Sequence, residues 1–348
     1  MDKSSRRELL HIGNEWSIPQ KIEALYKALR DDGPALAFGD VHHQEVPASC
    51  AVVVSTSGST GKPKSVALTA SALLASARAA HSFLGAELGD RWSLLLPTTH
   101  IAGINVLVRS IELGTKIVGV EESADFTAVV PTQLHRALHG EEILLRHLQS
   151  AKAVLVGGAS TPVELLNGAT ALGIHVITTY GMSEMCGGCI YNGTPLAGVE
   201  MKIVDGLVEL NGPMKAIGYL DAEPFGDSFF KTSDLGLIQD GQLRILGRAD
   251  DQIVSGGEKI SLGAITEFLN SDSHQHYMAV GLPDSEWGQA LAIASDSQID
   301  REEIRTKLRA NFGAHATPKR FLENIELPLT SLGKPDLQKL IEIFGRIS

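Results

Sequence analysis

The stretch AVVVSTSGSTGKPK, residues 51–64, joins a short apolar run to a loop of serine, threonine and glycine that ends in two lysines around a proline. Hydroxyls and successive backbone N–H groups in such a loop can wrap a polyphosphate, and the lysines add charge. The common nucleotide-hydrolase loop, G-x-x-x-x-G-K-[S/T], does not fit. Thr56 stands where its first glycine belongs, and Pro63 follows Lys62. Ser55, Thr56, Ser57, Gly58, Ser59, Thr60, Gly61, Lys62 and Lys64 are therefore candidate phosphate ligands of a different chemistry.

Working outward, 51–54, 92–97, 116–120, 127–131, 153–158 and 175–181 read as buried strands. Helical segments are expected at 69–86, 101–113, 132–148 and 162–172, the last with Thr161 as cap and Pro162 at the first helical position. Such alternation predicts right-handed crossovers and a mainly parallel sheet, with ligands beyond the carboxyl ends of its strands. The phosphate loop, the Gly157-Gly158-Ala159 turn and TTYGMSE (178–184) all lie at such ends.

After about residue 195 the texture changes. EMKIVDGLVELNG and LGLIQDGQLRILGR each predict a hairpin around Asp-Gly. A helix near 262–270, strands at 277–282 and 290–294, a helix at 300–311, a strand at 320–327 and a helix at 336–345 follow. The expected fold is α/β: a large N-terminal domain, 1–247, with a mainly parallel sheet and a small β subdomain, then a small α+β C-terminal domain, 248–348. The charged turn GRADDQ (247–252) marks the boundary.

The 348 residues are 43% hydrophobic and 20% charged, enough for a substantial core. With 30 basic against 41 acidic residues, a net −11, broad nucleic-acid binding is disfavoured. No apolar window of about 18 residues exists, so membrane insertion is not expected. The N-terminus lacks the apolar core of a signal peptide, and a cytoplasmic location is the expectation. Cys186 and Cys189 form a CGGC without a second pair, which reads as ordinary reduced thiols rather than a metal site.

STSGSTGKPK resembles the phosphate loop of the adenylate-forming acyl-CoA synthetases, a family that includes luciferases and peptide-synthetase adenylation domains. TTYGMSE is similar to that family's Y-G-x-T-E, with Ser183 in place of threonine, and KTSDLG (231–236) to its T-G-D-x-G. GRADDQIVSGGEKI (247–260) resembles its hinge motif, and LTSLGKPD (329–336) its terminal P-x-T-x-x-G-K. The resemblance runs from about residue 50 to the end, in the family's order. About fifty residues precede the loop here, where family members usually carry well over a hundred.

The resemblance implies ATP, Mg²⁺ and CoA as co-substrates of two half-reactions. An acyl-adenylate and pyrophosphate form first, then a thiol displaces AMP. It implies Glu184 as the magnesium ligand, Ser183 on the α-phosphate, Tyr180 stacked on adenine with Gly181 and Met182 beside it, and Asp234 on the ribose hydroxyls. Arg248 would reach ribose or phosphate, and Lys334 would bring its charge to the α-phosphate. Asp250 falls at the hinge, and Ser255, Gly256 and Gly257 would line a thiol channel.

LLLPTTHIAGINVLVR (94–109) and AVVPTQLHRALH (128–139) resemble segments of the o-succinylbenzoate–CoA ligases within that family. His100, Arg109 and Gly181 are then candidates for the acyl site. Read alone, the first two would be a satisfied loop histidine and a helix-surface arginine. An aromatic keto-diacid needs a cation for its non-reacting carboxylate, and Arg109, Lys116 and Arg136 are the candidates. The partners expected are thus small molecules, and a homodimer is compatible with the resemblance. The competing readings are a ligase for another aryl or fatty acid and a nucleotide-binding regulator without catalysis.

Overall fold

The computed structural model describes residues 6–56, 63–271, 275–329 and 335–346. It divides into two compact units. The first comprises Met1–Val204, Glu209–Thr232 and Ile238–Arg244, and the second Asp205–Val208, Ser233–Leu237 and Ile245–Ser348. The α/β class matches the expected fold.

Two six-stranded sheets build most of the first unit, where a single mainly parallel sheet was expected. The run at 51–54 lies in one of them, as part of the strand Cys50–Thr56. This strand pairs parallel with Ala35–Phe38 and antiparallel with Lys64–Thr69. The phosphate loop therefore joins two antiparallel strands rather than a strand and a helix. The branched residues of KSVALT make a strand before the helix Ala70–Leu84 begins at its Thr69 cap. Arg6–Ile12 adds a further parallel strand, and the Ile18–Ala28 helix crosses between it and Ala35–Phe38. Ser17 and Gln20 close a capping box at that helix's start.

The second sheet holds the parallel strands Trp92–Ser93, Phe126–Val129, Ala153–Val156 and Val176–Met182, then antiparallel Gly187–Tyr191 and Thr194–Pro195. Its parallel strands are the ones read from the sequence, although 92–97 shortens to two residues. Residues 116–120 form no strand; Val118 makes only an isolated bridge to Ser93. The segment 132–148 splits into Pro131–Leu138 and Glu142–Ser150, because Gly140 turns left-handed at φ 130°. Pro162, not Thr161, is the cap residue of the helix Val163–Ala171.

The helix Ile101–Leu113 is buried at Ile101, Ile104, Val106, Leu107, Val108 and Leu113, round most of its circumference. A helix apolar on every side must be enclosed. It packs against the Ile18–Ala28 and Ala70–Leu84 helices and the second sheet, while Ala70–Leu84 also touches the first.

Glu200–Val204, Leu207–Asn211, Phe230–Gln239 and Gln242–Arg248 form a third sheet in that order. Both Asp-Gly hairpins are present, with Asp205 and Gly206 at φ 52° and 79° and Asp240 and Gly241 at 52° and 77°. Two positive φ values are the signature of the tight turn that matches strand twist.

In the second unit, Glu258–Ser261, Gln252–Ser255, Gly288–Ser295 and Tyr277–Asp284 make a sheet, with Arg320–Leu322 beside Gly288–Ser295. Tyr277, Ala279, Leu291 and Ile293 bury one face with Ile265, Ile304 and Leu308. Met278, Val280, Ala292 and Ala294 bury the other with Leu340 and Phe344. Strand alternation thus feeds two cores. Among the described residues no helix is long and apolar enough to cross a membrane.

Candidate active site

Ser55 and Thr56 close the strand Cys50–Thr56 opposite Ser65 and Lys64, and both are half-buried. Ser57, Gly58, Ser59, Thr60, Gly61 and Lys62 lie outside the described residues, as does Lys334. Lys64 places its ammonium 4.8 Å from the centre of the Tyr219 ring. The Tyr219 hydroxyl donates to Glu184 Oε1 at 2.6 Å. Burial, reinforced by that bond, pushes the Tyr219 phenol well above its ordinary range, so it remains a donor. Lys64, Tyr219 and Glu184 form one chain from the loop's end to the expected metal ligand.

YGMSE is shaped by close backbone contact. Val176–Met182 ends in a single 3₁₀ turn, Ser183–Met185, and the chain reverses into Gly187–Tyr191. A Cβ at Gly181 would run into the Gly187 carbonyl, so only glycine permits the strands to meet there. Cys186 carries the reversal at φ 52°, a left-handed conformation that costs a side-chain-bearing residue roughly 1 kcal/mol. Two buried donors hold it. Asn105 Nδ2 reaches the Cys186 carbonyl at 2.7 Å and Ser76 Oγ reaches it at 3.3 Å. The Cys186 and Cys189 thiols are buried, and burial pushes Cys189 up to about 12. Neither is a thiolate at neutral pH.

Asn105 was not among the residues singled out from the sequence, though a lone amide inside IAGINVLV is a visible signal. Asn105→Leu should destabilise the protein by about 1–3 kcal/mol, the cost of stranding a buried carbonyl, and lower turnover as well. Urea unfolding and AMP release measure the two effects. Lost stability with full turnover would separate the Cys186 turn from the active geometry.

Beyond Ala153–Val156, Gly157 lies against Thr179, whose hydroxyl donates to the Val156 carbonyl at 3.3 Å, and a Cβ at Gly157 would collide with it. Gly158 and Ala159 are exposed beyond it, at the carboxyl end of the sheet where Tyr180 is half-buried. His100 begins the Ile101–Leu113 helix without a side-chain cap bond. The Pro97 carbonyl presses on that helix so closely that only glycine fits at Gly103.

Arg109 is not the helix-surface arginine its position allowed. It is 3% exposed, its guanidinium 4.8 Å from the centre of the Trp92 ring, and its Nη2 donates to the Tyr191 hydroxyl at 3.0 Å. No carboxylate among the described residues lies within ion-pair distance of it. Arg109 Nε, His81 Nε2 and Trp92 Nε1 are buried without hydrogen-bond partners among the described residues. Burial lowers His81 to about 4, so it adds no competing charge at neutral pH. Lys116 is exposed, and exposed Arg136 is spent on Glu141 at 3.0 Å. Of the three candidate cations, Arg109 alone is buried and lacks an acid partner.

In the second unit, Arg248 forks onto Asp250 at 2.7 and 2.6 Å and reaches Asp234 Oδ1 at 3.3 Å. The bond to Asp250 is the main reason the guanidinium is held above its ordinary range. Three residues expected to serve ribose and hinge thus form one group. Gly256 and Gly257, at φ 61° and 88°, form a two-residue turn between paired Ser255 and Glu258. Ser255 is 3% exposed, so only the two glycines are on the surface.

The profile described as AMP-binding enzyme matches residues 14–220, more than half the chain. The chain belongs to the AMP-binding enzyme family. A probable 2-succinylbenzoate–CoA ligase of Mycobacterium tuberculosis is 33% identical to this AMP-binding enzyme over 97% of the chain and 98% of its own length. The 2-succinylbenzoate–CoA ligase of Lactococcus lactis is 29% identical over 82% of the chain and 69% of its own. An arginine-to-lysine variant of E. coli MenE with bound OSB-AMS superposes with a TM-score of 0.75 at 25% identity, covering 97% of this AMP-binding enzyme and 82% of that chain. The Bacillus subtilis o-succinylbenzoate coenzyme A synthetase, solved with ATP and magnesium ion, shares the fold at a TM-score of 0.73 and 23% identity, covering 95% and 83%.

Proposed function

We propose that this AMP-binding enzyme is an AMP-forming acid–CoA ligase whose acid is 2-succinylbenzoate (o-succinylbenzoate), acting in menaquinone biosynthesis. The observation that carries the acid is Arg109. A buried guanidinium without an acid partner, beside other unpaired polar atoms, suits the non-reacting carboxylate of an aromatic keto-diacid. Near full-length similarity to a probable ligase of that acid supports the same reading.

The roles follow from the chain's own groups. The loop from Ser55 to Lys64 grips the β- and γ-phosphates. Ser183 donates to the α-phosphate, Tyr180 stacks on adenine against Gly157–Ala159, and Asp234 accepts from the ribose hydroxyls. Glu184 fits a magnesium ligand: Tyr219 orients its Oε1, and Oε2 has no hydrogen bond among the described residues. Bound there with ATP, Mg²⁺ would neutralise phosphate charge. His100 stands beside the acyl group while its carboxylate oxygen attacks the α-phosphorus and pyrophosphate leaves, with Lys334 supplying positive charge. The CoA thiol then attacks the acyl carbon and AMP leaves. Gly256 and Gly257 border its path, and Asp250 is the hinge for the change of pose between steps.

Incubation with ATP, Mg²⁺, CoA and a panel of acids, followed by AMP and pyrophosphate assay, tests the reading. Product with 2-succinylbenzoate is expected; ADP release would sink it, and preference for a long-chain fatty acid would overturn the choice of acid. Lys334→Ala should cripple adenylate formation more than thiolation of a preformed adenylate, and equal loss in both steps would remove its assigned role.

A further inference from the structure

Among the described residues only two lysine or arginine side chains are buried: Arg109, and Lys21 at 7% exposure. Lys21 sits on the Ile18–Ala28 helix, and its ammonium donates to Thr98 Oγ1 at 3.0 Å. No carboxylate among the described residues pairs with it. An ammonium has three donors and a full charge, and one neutral hydroxyl answers little of either. Escape of the head group to water, the usual recourse of a long lysine, is closed at this exposure.

Its location gives the charge a purpose. Thr98 lies two residues before His100, on the turn leading into the helix that carries Arg109. That turn is packed hard on both sides. The Pro97 carbonyl abuts Gly103, and a Cβ at Gly39 would stand 3.2 Å from the Thr99 carbonyl and 3.3 Å from Ser55 Cβ. Lys21 thus braces, from the N-terminal helix, the segment between the acyl residues and the start of the phosphate loop.

We propose that Lys21 is a positioning and specificity-determining residue. It fixes the Pro97–His100 turn through Thr98 and keeps an unpaired positive charge behind the acyl site, which favours acids bearing a second carboxylate over singly charged ones. Arg109 touches that carboxylate; Lys21 acts on it through its field and through the turn. The inference rests on the ligase reading above.

The test uses the full chain and two acids, 2-succinylbenzoate and the same keto acid without its ring carboxylate, with AMP release as readout. Lys21→Met should cut the preference for the diacid about tenfold, the scale expected when a unit charge acts at an effective dielectric near 20. The loss should fall mainly on the KM of the diacid, while any loss of turnover from a slackened Thr98 turn is shared by both acids and cancels from the preference. Lys21→Arg should keep the preference. An unaltered preference in Lys21→Met, whatever its Tm, overturns the proposal. If Lys21→Met fails to fold, Lys21→Gln, which retains a donor for Thr98, is read in the same way. A wild-type enzyme inert toward the diacid sinks the ligase reading and this inference together, whereas an active wild type with an indifferent Lys21 sinks this inference alone.

Discussion

Glu184→Gln should slow acyl-adenylate formation by roughly 100-fold or more while leaving the fold intact. Glutamine matches the side chain in size and still offers an oxygen to the Tyr219 hydroxyl, so the 2.6 Å contact and the Ser183–Met185 turn persist. What disappears is the negative charge on which the proposed magnesium role of this position depends. Charge stabilisation supplied at the reacting phosphate is commonly worth about 10²–10³ in rate, which sets the expected scale. Pyrophosphate exchange measured across a magnesium titration checks it. The variant should need more magnesium and still fall short at saturation, with urea unfolding unchanged. A variant that matches the wild type at every magnesium concentration would take the metal away from Glu184.

Arg109→Met should raise the KM for 2-succinylbenzoate by about two orders of magnitude. Hydrogen bonds to a charged group contribute about 1.5–3 kcal/mol each, and a guanidinium offers a carboxylate two. The substitution should cost the free protein little stability. A buried cation without an acid partner is expensive, and replacing it with an apolar chain of similar length is often neutral or stabilising. Tyr191 loses its 3.0 Å donor, which offsets part of that gain. Weak acid binding with an unchanged or raised Tm is the signature of a group kept for a ligand. A large fall in Tm with the KM unchanged would mark Arg109 as a core brace instead.

Sequence reading succeeded where the determinants are local. The Asp205-Gly206 and Asp240-Gly241 turns form because those pairs tolerate positive φ, and the runs at 127–131 and 153–158 are short and bounded and supply the buried strands Phe126–Val129 and Ala153–Val156. It failed where neighbours compete or partners are remote. KSVALT runs directly into TASALLASARAA, and the helical period of the second hides the strand in the first. Gly256 and Gly257 read only as lining for a thiol channel, and the hairpin of Gln252–Ser255 and Glu258–Ser261 that they close goes unread.

The candidate site divides along the same line. Its motif residues are legible because their spacing is short. Lys21 meets a hydroxyl 77 positions away, and Asn105 a carbonyl 81 positions away. Only folding places them. That Arg109 is buried is likewise a property of the enclosed helix, since R-S-I-E-L-G alone allows a surface position.

That helix has one more consequence. His100 caps its start, and Asn105 and Arg109 project from its length. Because Ile101–Leu113 is buried round most of its circumference, most of its amides should meet solvent only when the surrounding helices and sheet give way. The proposed acyl side of the site should therefore open late, and amide exchange along this helix should be among the slowest in the first unit.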